Sequence, residues 1–174
     1  DQKGLGGGSS DAASVLIGLN KIWELGLSKN ELSVLALELG SDVPFFIHGK
    51  TSWAEGRGEI LSNYPYKERF FLLSFPELKV STKEAFKNLP IKNVTALKQS
   101  DYTDNQSFNS FESWIRETST EMEKQFIKLS TIGKPRLSGT GSTIFIEFNE
   151  ENSAKEVLEK FPHLVFTKSL ERSP

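Results

Sequence analysis

The stretch Lys3-Gly4-Leu5-Gly6-Gly7-Gly8-Ser9-Ser10-Asp11-Ala12-Ala13 holds what a chain needs to bind an anion. Four glycines in five positions remove most Cβ atoms, so the backbone can turn with φ > 0 and press N–H groups against a ligand. Ser9, Ser10 and Asp11 are helix-capping types. Ala12, Ala13, Val15, Leu16, Leu19, Ile22 and Trp23 then recur at helical spacing. A bare loop that runs into a helix N-terminus offers unpaired N–H groups and the positive end of the helix dipole, a setting suited to phosphate. The loop is not a Walker sequence, which closes on Lys-Ser or Lys-Thr, and the dinucleotide register fails at Ser9. The bland alternative is a glycine-rich turn without a ligand.

A second stretch, Gly40-Ser41-Asp42-Val43-Pro44-Phe45-Phe46, sets one carboxylate among apolar neighbours. Asp42 reads either as the N-cap of a short helix through Phe46 or as a carboxylate in a dry setting, placed to accept a hydroxyl proton. The readings are compatible, since a cap can also aim a carboxylate. A third stretch, Leu137-Ser138-Gly139-Thr140-Gly141-Ser142-Thr143, leads a glycine-serine turn into the strand Ile144–Phe148. Alone it is a weak phosphate hint. Glu55 and Glu59 read as solvated carboxylates at strand ends rather than as a catalytic pair.

Composition narrows the chemistry. Hydrophobic residues make up 37% and charged residues 25% of 174 positions, the profile of a soluble globular chain of one domain or two small ones. The net charge of −2 provides no broad basic field, so neither nucleic acid nor an anionic membrane is an expected partner. The absence of cysteine excludes disulfides and thiolate nucleophiles. His48 and His163 are the only imidazoles, and nothing pairs them into a metal motif. No apolar run is long enough to span a bilayer.

The elements that must position these groups follow from pattern. A helix is expected from about Ser10 to Leu25, closed by Gly26, and a second one opened by the capping box Ser28-Lys29-Asn30-Glu31 with Leu32, Leu35, Ala36 and Leu39 as its buried stripe. The two should pack as an antiparallel pair. Thr51–Gly56 and Gly58–Leu61 read as strands around Gly-Arg-Gly, and Arg69–Phe75 as a buried strand. Ser81-Thr82-Lys83-Glu84 caps a helix through Ala85, Phe86 and Leu89. Residues 91–110 are expected to be a mobile loop. One helix should carry Trp114, Ile115, Thr118, Met122, Phe126 and Leu129; another, capped by Asn152, should run to Lys160, with a last strand from Leu164 to Leu170.

The first stretch resembles the second motif of the GHMP kinase superfamily. The triple glycine before two serines resembles the branch that acts on a cytidine-diphosphate-linked polyol in non-mevalonate isoprenoid synthesis. Gly40–Phe46 and Ser138–Gly141 are similar to further motifs of that superfamily, in the same order. The resemblance implies an α+β fold of two layers, with an ATP-loop helical half (1–66) and a ferredoxin-like C-terminal half (67–174). It implies ATP and Mg2+, phosphate binding by Gly4, Leu5, Gly6, Gly7, Gly8, Ser9 and Ser10, and a place for the Ser10 hydroxyl near Mg2+. It gives Asp42 the catalytic role, Thr82 and Phe86 substrate contacts, and Gly139, Thr140 and Gly141 a supporting role behind the phosphate loop. Before this core the superfamily usually has glycine or alanine where this chain has Gln2-Lys3; Lys3 reads as solvated.

The implied activity is ATP-dependent phosphorylation of a small-molecule alcohol. A homoserine- or mevalonate-type kinase and a non-catalytic nucleotide-binding protein are the alternatives. The first residue is Asp and the phosphate loop follows at once, where such a loop normally follows a strand. A strand is therefore expected upstream; the resemblance implies a β-rich segment there that supplies a catalytic lysine and much of the cytidine pocket, and this chain alone is expected to be inactive. The open sheet edge that this leaves makes a homodimer one expected state. A bacterial cytoplasmic protein is expected, with a plastid location open.

Overall fold

A computed structural model describes residues 3–89, 98–102 and 108–171. The chain forms two compact units, one of Asp1–Leu5 with Arg69–Ser169 and one of Gly6–Glu68 with Leu170–Pro174.

The unit beginning at Gly6 is three helices and a hairpin. Helices α1 (Gly7–Ile22), α2 (Lys29–Leu39) and α3 (Val43–His48) pack on one another around Ala13, Leu32, Ala36, Val43 and Ile47. Alanines at 13 and 36 let the helices approach closely, and this narrows the apolar stripe expected from the sequence. Val15, Ile22, Leu35 and Leu39 are exposed, because only the Ala12-Ala13-Leu16 row of α1 and the Leu32-Ala36 row of α2 reach that core. α1 starts at Gly7 rather than Ser10 and ends at Ile22, three residues before Leu25. Its exit is closed by Asn20, which donates to the Leu27 carbonyl and accepts from the Leu27 amide, both at 3.0 Å. The expected capping box at α2 is formed: Ser28 Oγ accepts from the Glu31 amide at 3.3 Å, and Glu31 accepts from the Ser28 amide at 2.8 Å. The Ser28 amide, and the Ser28 hydroxyl donating at 2.7 Å, hold the Glu31 carboxyl below its ordinary pKa. Strands β1 (Ser52–Glu55) and β2 (Ile60–Asn63) pair antiparallel. Glu59 accepts from the Arg57 amide within the turn between them, so it is a turn-closing residue.

The other unit is a four-stranded antiparallel sheet with helices on one face. In chain order it runs β3 (Phe70–Ser74), α4 (Thr82–Asn88), the short 3-10 turn Gln99–Asp101, α5 (Ser110–Thr118), α6 (Thr120–Ser130), β4 (Pro135–Leu137), β5 (Ile144–Phe148), α7 (Glu151–Lys160) and β6 (Val165–Lys168). The strand order β4-β5-β3-β6, with every neighbour antiparallel, is the ferredoxin-like arrangement. Register sets Leu72 between Ile146 and Phe166. Leu72, Ile144 and Ile146 turn inward with Ile115, Met122, Phe126, Leu129 and Ala154 from the helices. β3 alternates buried and half-buried residues, so it is packed on one face rather than buried on both as expected from its apolar run.

Two helix readings are corrected here. The helix expected from Trp114 to Leu129 is two, divided at Ser119, whose extended backbone (φ −129°) ends α5 while its hydroxyl accepts from the Met122 amide to start α6. Asn152 does not cap α7, which already starts at Glu151. The loop expected over 91–110 lies largely outside the described residues. Among those, no helix is long and apolar enough to cross a membrane.

Burial ranks the aromatic residues. Phe126 is 1% exposed and Phe86 59%. Phe126→Ala is expected to cost about 3–5 kcal/mol by denaturant titration, and Phe86→Ala about 1 kcal/mol, the scale of one exposed aromatic pair. Across the α5–α6 break, Arg116 donates to Glu123 at 2.7 and 3.1 Å. This bond holds the Glu123 carboxyl below its ordinary value. A depressed carboxyl contributes stability that is present above its unfolded pKa and lost as pH falls through the folded one. Thermal stability measured between pH 7 and 3 should therefore fall at the acid end, and less steeply in Glu123→Gln.

Candidate active site

The glycine loop is held in two ways, one in each unit. Lys3, Gly4 and Leu5 lie with the sheet unit. There Gly4 has φ +74°, and a Cβ on it would run into the Ser138 carbonyl oxygen and reach Gly141 O at 3.0 Å. Only glycine allows that approach. The Ser138 hydroxyl donates to the Gly4 carbonyl at 2.7 Å, and the Thr143 amide donates to the Lys3 carbonyl at 3.2 Å. The turn Ser138–Thr143 closes on itself through Ser138 N–Thr143 O and Gly141 N–Ser138 O, each 2.9 Å. Gly139 and Gly141 adopt positive φ within it, and Thr140 Oγ1 lies 3.4 Å from Thr82 Oγ1. Lys3 is not solvated, contrary to expectation. Its Nζ donates to the Pro76 carbonyl at 2.7 Å, an oxygen that Ser142 Oγ also reaches at 3.2 Å.

The helical unit takes the loop on from Gly6. Gly6 precedes α1 in the left-handed region (φ +68°), with Phe46 so near that a Cβ would meet its ring at 3.0 Å. No side chain caps this helix end. The first amide engaged is that of Ser10, which donates to Gly6 O at 2.9 Å. The amides of Gly7, Gly8 and Ser9 are thus the leading N–H groups of a 16-residue helix, and nothing lies within 4 Å of where Cβ atoms would stand on Gly7 and Gly8. This geometry suits the oxygens of a polyphosphate.

Asp42 is at the N-cap position of α3, but its side chain makes no capping bond, so the carboxylate is not committed there. It is exposed rather than in a dry setting, because the turn sends Val43 and Pro44 into the core and leaves Asp42 outside. The same turn aims it usefully. Asp42, Ser41, Gly6, Phe45, Phe46, Ala54 and Gly58 line one cavity of about 230 Å³. The structure thereby brings Asp42 beside the residue that opens α1. Thr82 and Phe86 belong to the sheet unit, on α4, where Phe86 meets Phe111 edge-on at 4.9 Å. Two residues had no motif to mark them. Asn109 grips the Gly139 carbonyl at 2.7 Å, and Glu112 accepts from the Leu137 amide at 3.1 Å.

Among the described residues, no group of three acidic, histidine or cysteine side chains could hold a metal ion.

An uncapped glycine-led helix and a free carboxylate stand in one unit, and a ferredoxin-like sheet in the other. Residues 1–50 match the family GHMP kinases N terminal domain, and the chain's resemblance to that family is shown in sequence and in fold. It is 44% identical over 163 residues to 4-diphosphocytidyl-2-C-methyl-D-erythritol kinase of Wigglesworthia glossinidia brevipalpis, covering 93% of this chain and 54% of the relative. It is 41% identical over 175 residues to the protein of the same name from Buchnera aphidicola, covering 98% and 60%. A crystal structure of 4-(cytidine 5'-diphospho)-2C-methyl-D-erythritol kinase superposes with a TM-score of 0.81 at 25% identity, over 97% of this chain and 66% of that one. Homoserine kinase from Cytophaga hutchinsonii shares the fold at a TM-score of 0.61 and 12% identity, over 98% and 67%. The chain thus spans between half and two thirds of the length of these curated relatives.

Close approach at Gly4 and open space at Gly7 predict opposite outcomes for one substitution. Gly4→Ala should cost about 2 kcal/mol or more in thermal unfolding, from backbone strain and the clash with Ser138. Gly7→Ala should leave stability unchanged or raise it by up to about 1 kcal/mol.

Proposed function

We propose that this chain carries the nucleotide loop and proton acceptor of an ATP-dependent kinase. Its acceptor would be 4-diphosphocytidyl-2-C-methyl-D-erythritol, phosphorylated on the 2-hydroxyl. The observation that carries the reading is the cavity shared by Asp42 and Gly6, which sets a carboxylate next to a helix end suited to phosphate. The substrate assignment is supported by the relatives named for it, at 40–44% identity.

In this reading the amides of Gly7, Gly8 and Ser9, with the helix dipole behind them, bind the phosphates of ATP. Gly4 and Leu5 are held against the Gly139-Thr140-Gly141 turn so that the loop keeps its shape. The Ser10 hydroxyl would help hold Mg2+ against those phosphates, and the ion would supply charge neutralisation there. The acceptor hydroxyl oxygen attacks the γ-phosphorus and the bond to the ADP oxygen breaks. The hydroxyl proton passes to Asp42. Phosphoryl transfer asks mostly for such positioning and charge neutralisation. Thr82 and Phe86 are proposed acceptor contacts. A homoserine-type kinase is the second reading, supported by the shared fold.

The test is ADP release with Mg-ATP and the cytidine-linked acceptor, with homoserine and mevalonate as controls. The chain is assayed alone and as a chimera supplied with the residues that the Wigglesworthia relative has beyond it. Turnover is expected in the chimera and not in the chain alone, and only with the cytidine-linked acceptor. Turnover with homoserine instead would transfer the assignment to the second reading. Asp42→Asn should lower kcat by about 10²-fold or more while ATP still binds. Near-normal turnover in that variant would remove Asp42 from the mechanism.

A further inference from the structure

We propose that Asn109 is a positioning residue for the phosphate loop, acting through the Ser138–Gly141 turn; this rests on the kinase reading above. Asn109 stands at the N-cap of α5, where its Oδ1 accepts from the Phe111 amide at 2.9 Å. Its Nδ2 donates both to the Leu137 carbonyl at 3.0 Å and to the Gly139 carbonyl at 2.7 Å. A carboxamide is the uncharged side chain with one acceptor and two donors on one rigid plane, and these three backbone partners use all three. They also fix which side-chain atom is nitrogen. Glu112, one turn along, adds a third grip by accepting from the Leu137 amide at 3.1 Å.

The segment so held is the one that holds Gly4. Ser138, between the two carbonyls that Asn109 binds, donates its hydroxyl to Gly4 O at 2.7 Å. Gly139 lies against Gly4 closely enough that a Cβ on it would meet Gly4 O at 3.1 Å. From Asn109 to the start of the glycine loop there is therefore one hydrogen bond, one residue and one more hydrogen bond. A side chain that only capped α5 would have no use for its two amide hydrogens. Here both are directed away from the helix, at the turn.

Asn109→Asp separates the two roles. The carboxylate still caps α5 but sets negative charge against two carbonyl oxygens. The turn then loses two of its anchors and is held more loosely, and bound nucleotide must order it, which weakens affinity. The Kd for ADP, read by calorimetry on the chain, and the KM for ATP, read on the active form from the assay above, should rise about tenfold. The acceptor's KM should stay within about twofold of wild type. Ser138→Ala should shift the same way, and the double variant by less than the product of the two, because both act through one turn. Asn109→Ser, which keeps a cap oxygen but is too short to span both carbonyls, is read identically and serves if the aspartate variant does not fold.

A folded Asn109→Asp or Asn109→Ser whose nucleotide Kd is unchanged, with only a lower Tm, reduces Asn109 to a helix cap and overturns the proposal alone. Equal rises in both KM values overturn it too. A wild-type chain that binds neither ATP nor ADP overturns the kinase reading and this proposal together.

Discussion

The loop depends first on a close approach between two backbones. Gly4 lies so near the Ser138 carbonyl and Gly141 that no side chain fits on it. That proximity brings the Ser138 hydroxyl within 2.7 Å of the Gly4 carbonyl and aligns the Lys3 carbonyl with the Thr143 amide. Lys3, whose Nζ reaches the Pro76 carbonyl, completes the attachment. The residues ahead of α1 are thus tied to the turn that leads into β5.

The helix ends divide by task. α2, α4, α5 and α6 begin on Ser28, Ser81, Asn109 and Ser119, each of which accepts a backbone N–H of its own first turn. α1 and α3 have no such bond, and the residues at their caps, Gly6 and Asp42, line one cavity. An uncapped N-terminus costs a helix about 1 kcal/mol against a good cap. At α1 that cost leaves three amides for a ligand; at α3 it leaves a carboxylate. α7 is uncapped as well, from Glu150, but it begins in the sheet unit and lines no part of that cavity.

Much of this was legible because glycine, proline and capping residues act locally. Four glycines before Ser-Ser-Asp announced a helix N-terminus, and Ser28 with Glu31 announced a capping box, since each requires only its own neighbours. The ferredoxin-like half was expected from the resemblance, but the three-residue strand β4 was not read, because Pro135–Leu137 is too short to show a period. What failed depended on distant partners. Lys3 looked solvated because nothing within the sequence pairs it with Pro76, 73 residues away. One helix was expected where α5 and α6 stand, because an apolar period cannot register the extended backbone at Ser119. α1 was placed three residues late, since serine is the usual cap and the glycines seemed to belong to the loop; the helix instead takes in Gly7 and Gly8, with Gly6 as its cap beside Phe46. Asn109 was silent for a similar reason, as its partners lie 28 and 30 residues on.

The central claim is that the leading amides of α1 are the phosphate site. The most direct measurement is a 15N–1H correlation spectrum of the chain titrated with ADP and Mg2+. The account predicts that the amide resonances of Gly7, Gly8 and Ser9 move most, at one common Kd, with Gly4 and the Gly139–Gly141 turn following at that same Kd. Saturable shifts centred elsewhere, with Gly7, Gly8 and Ser9 unmoved, would contradict it.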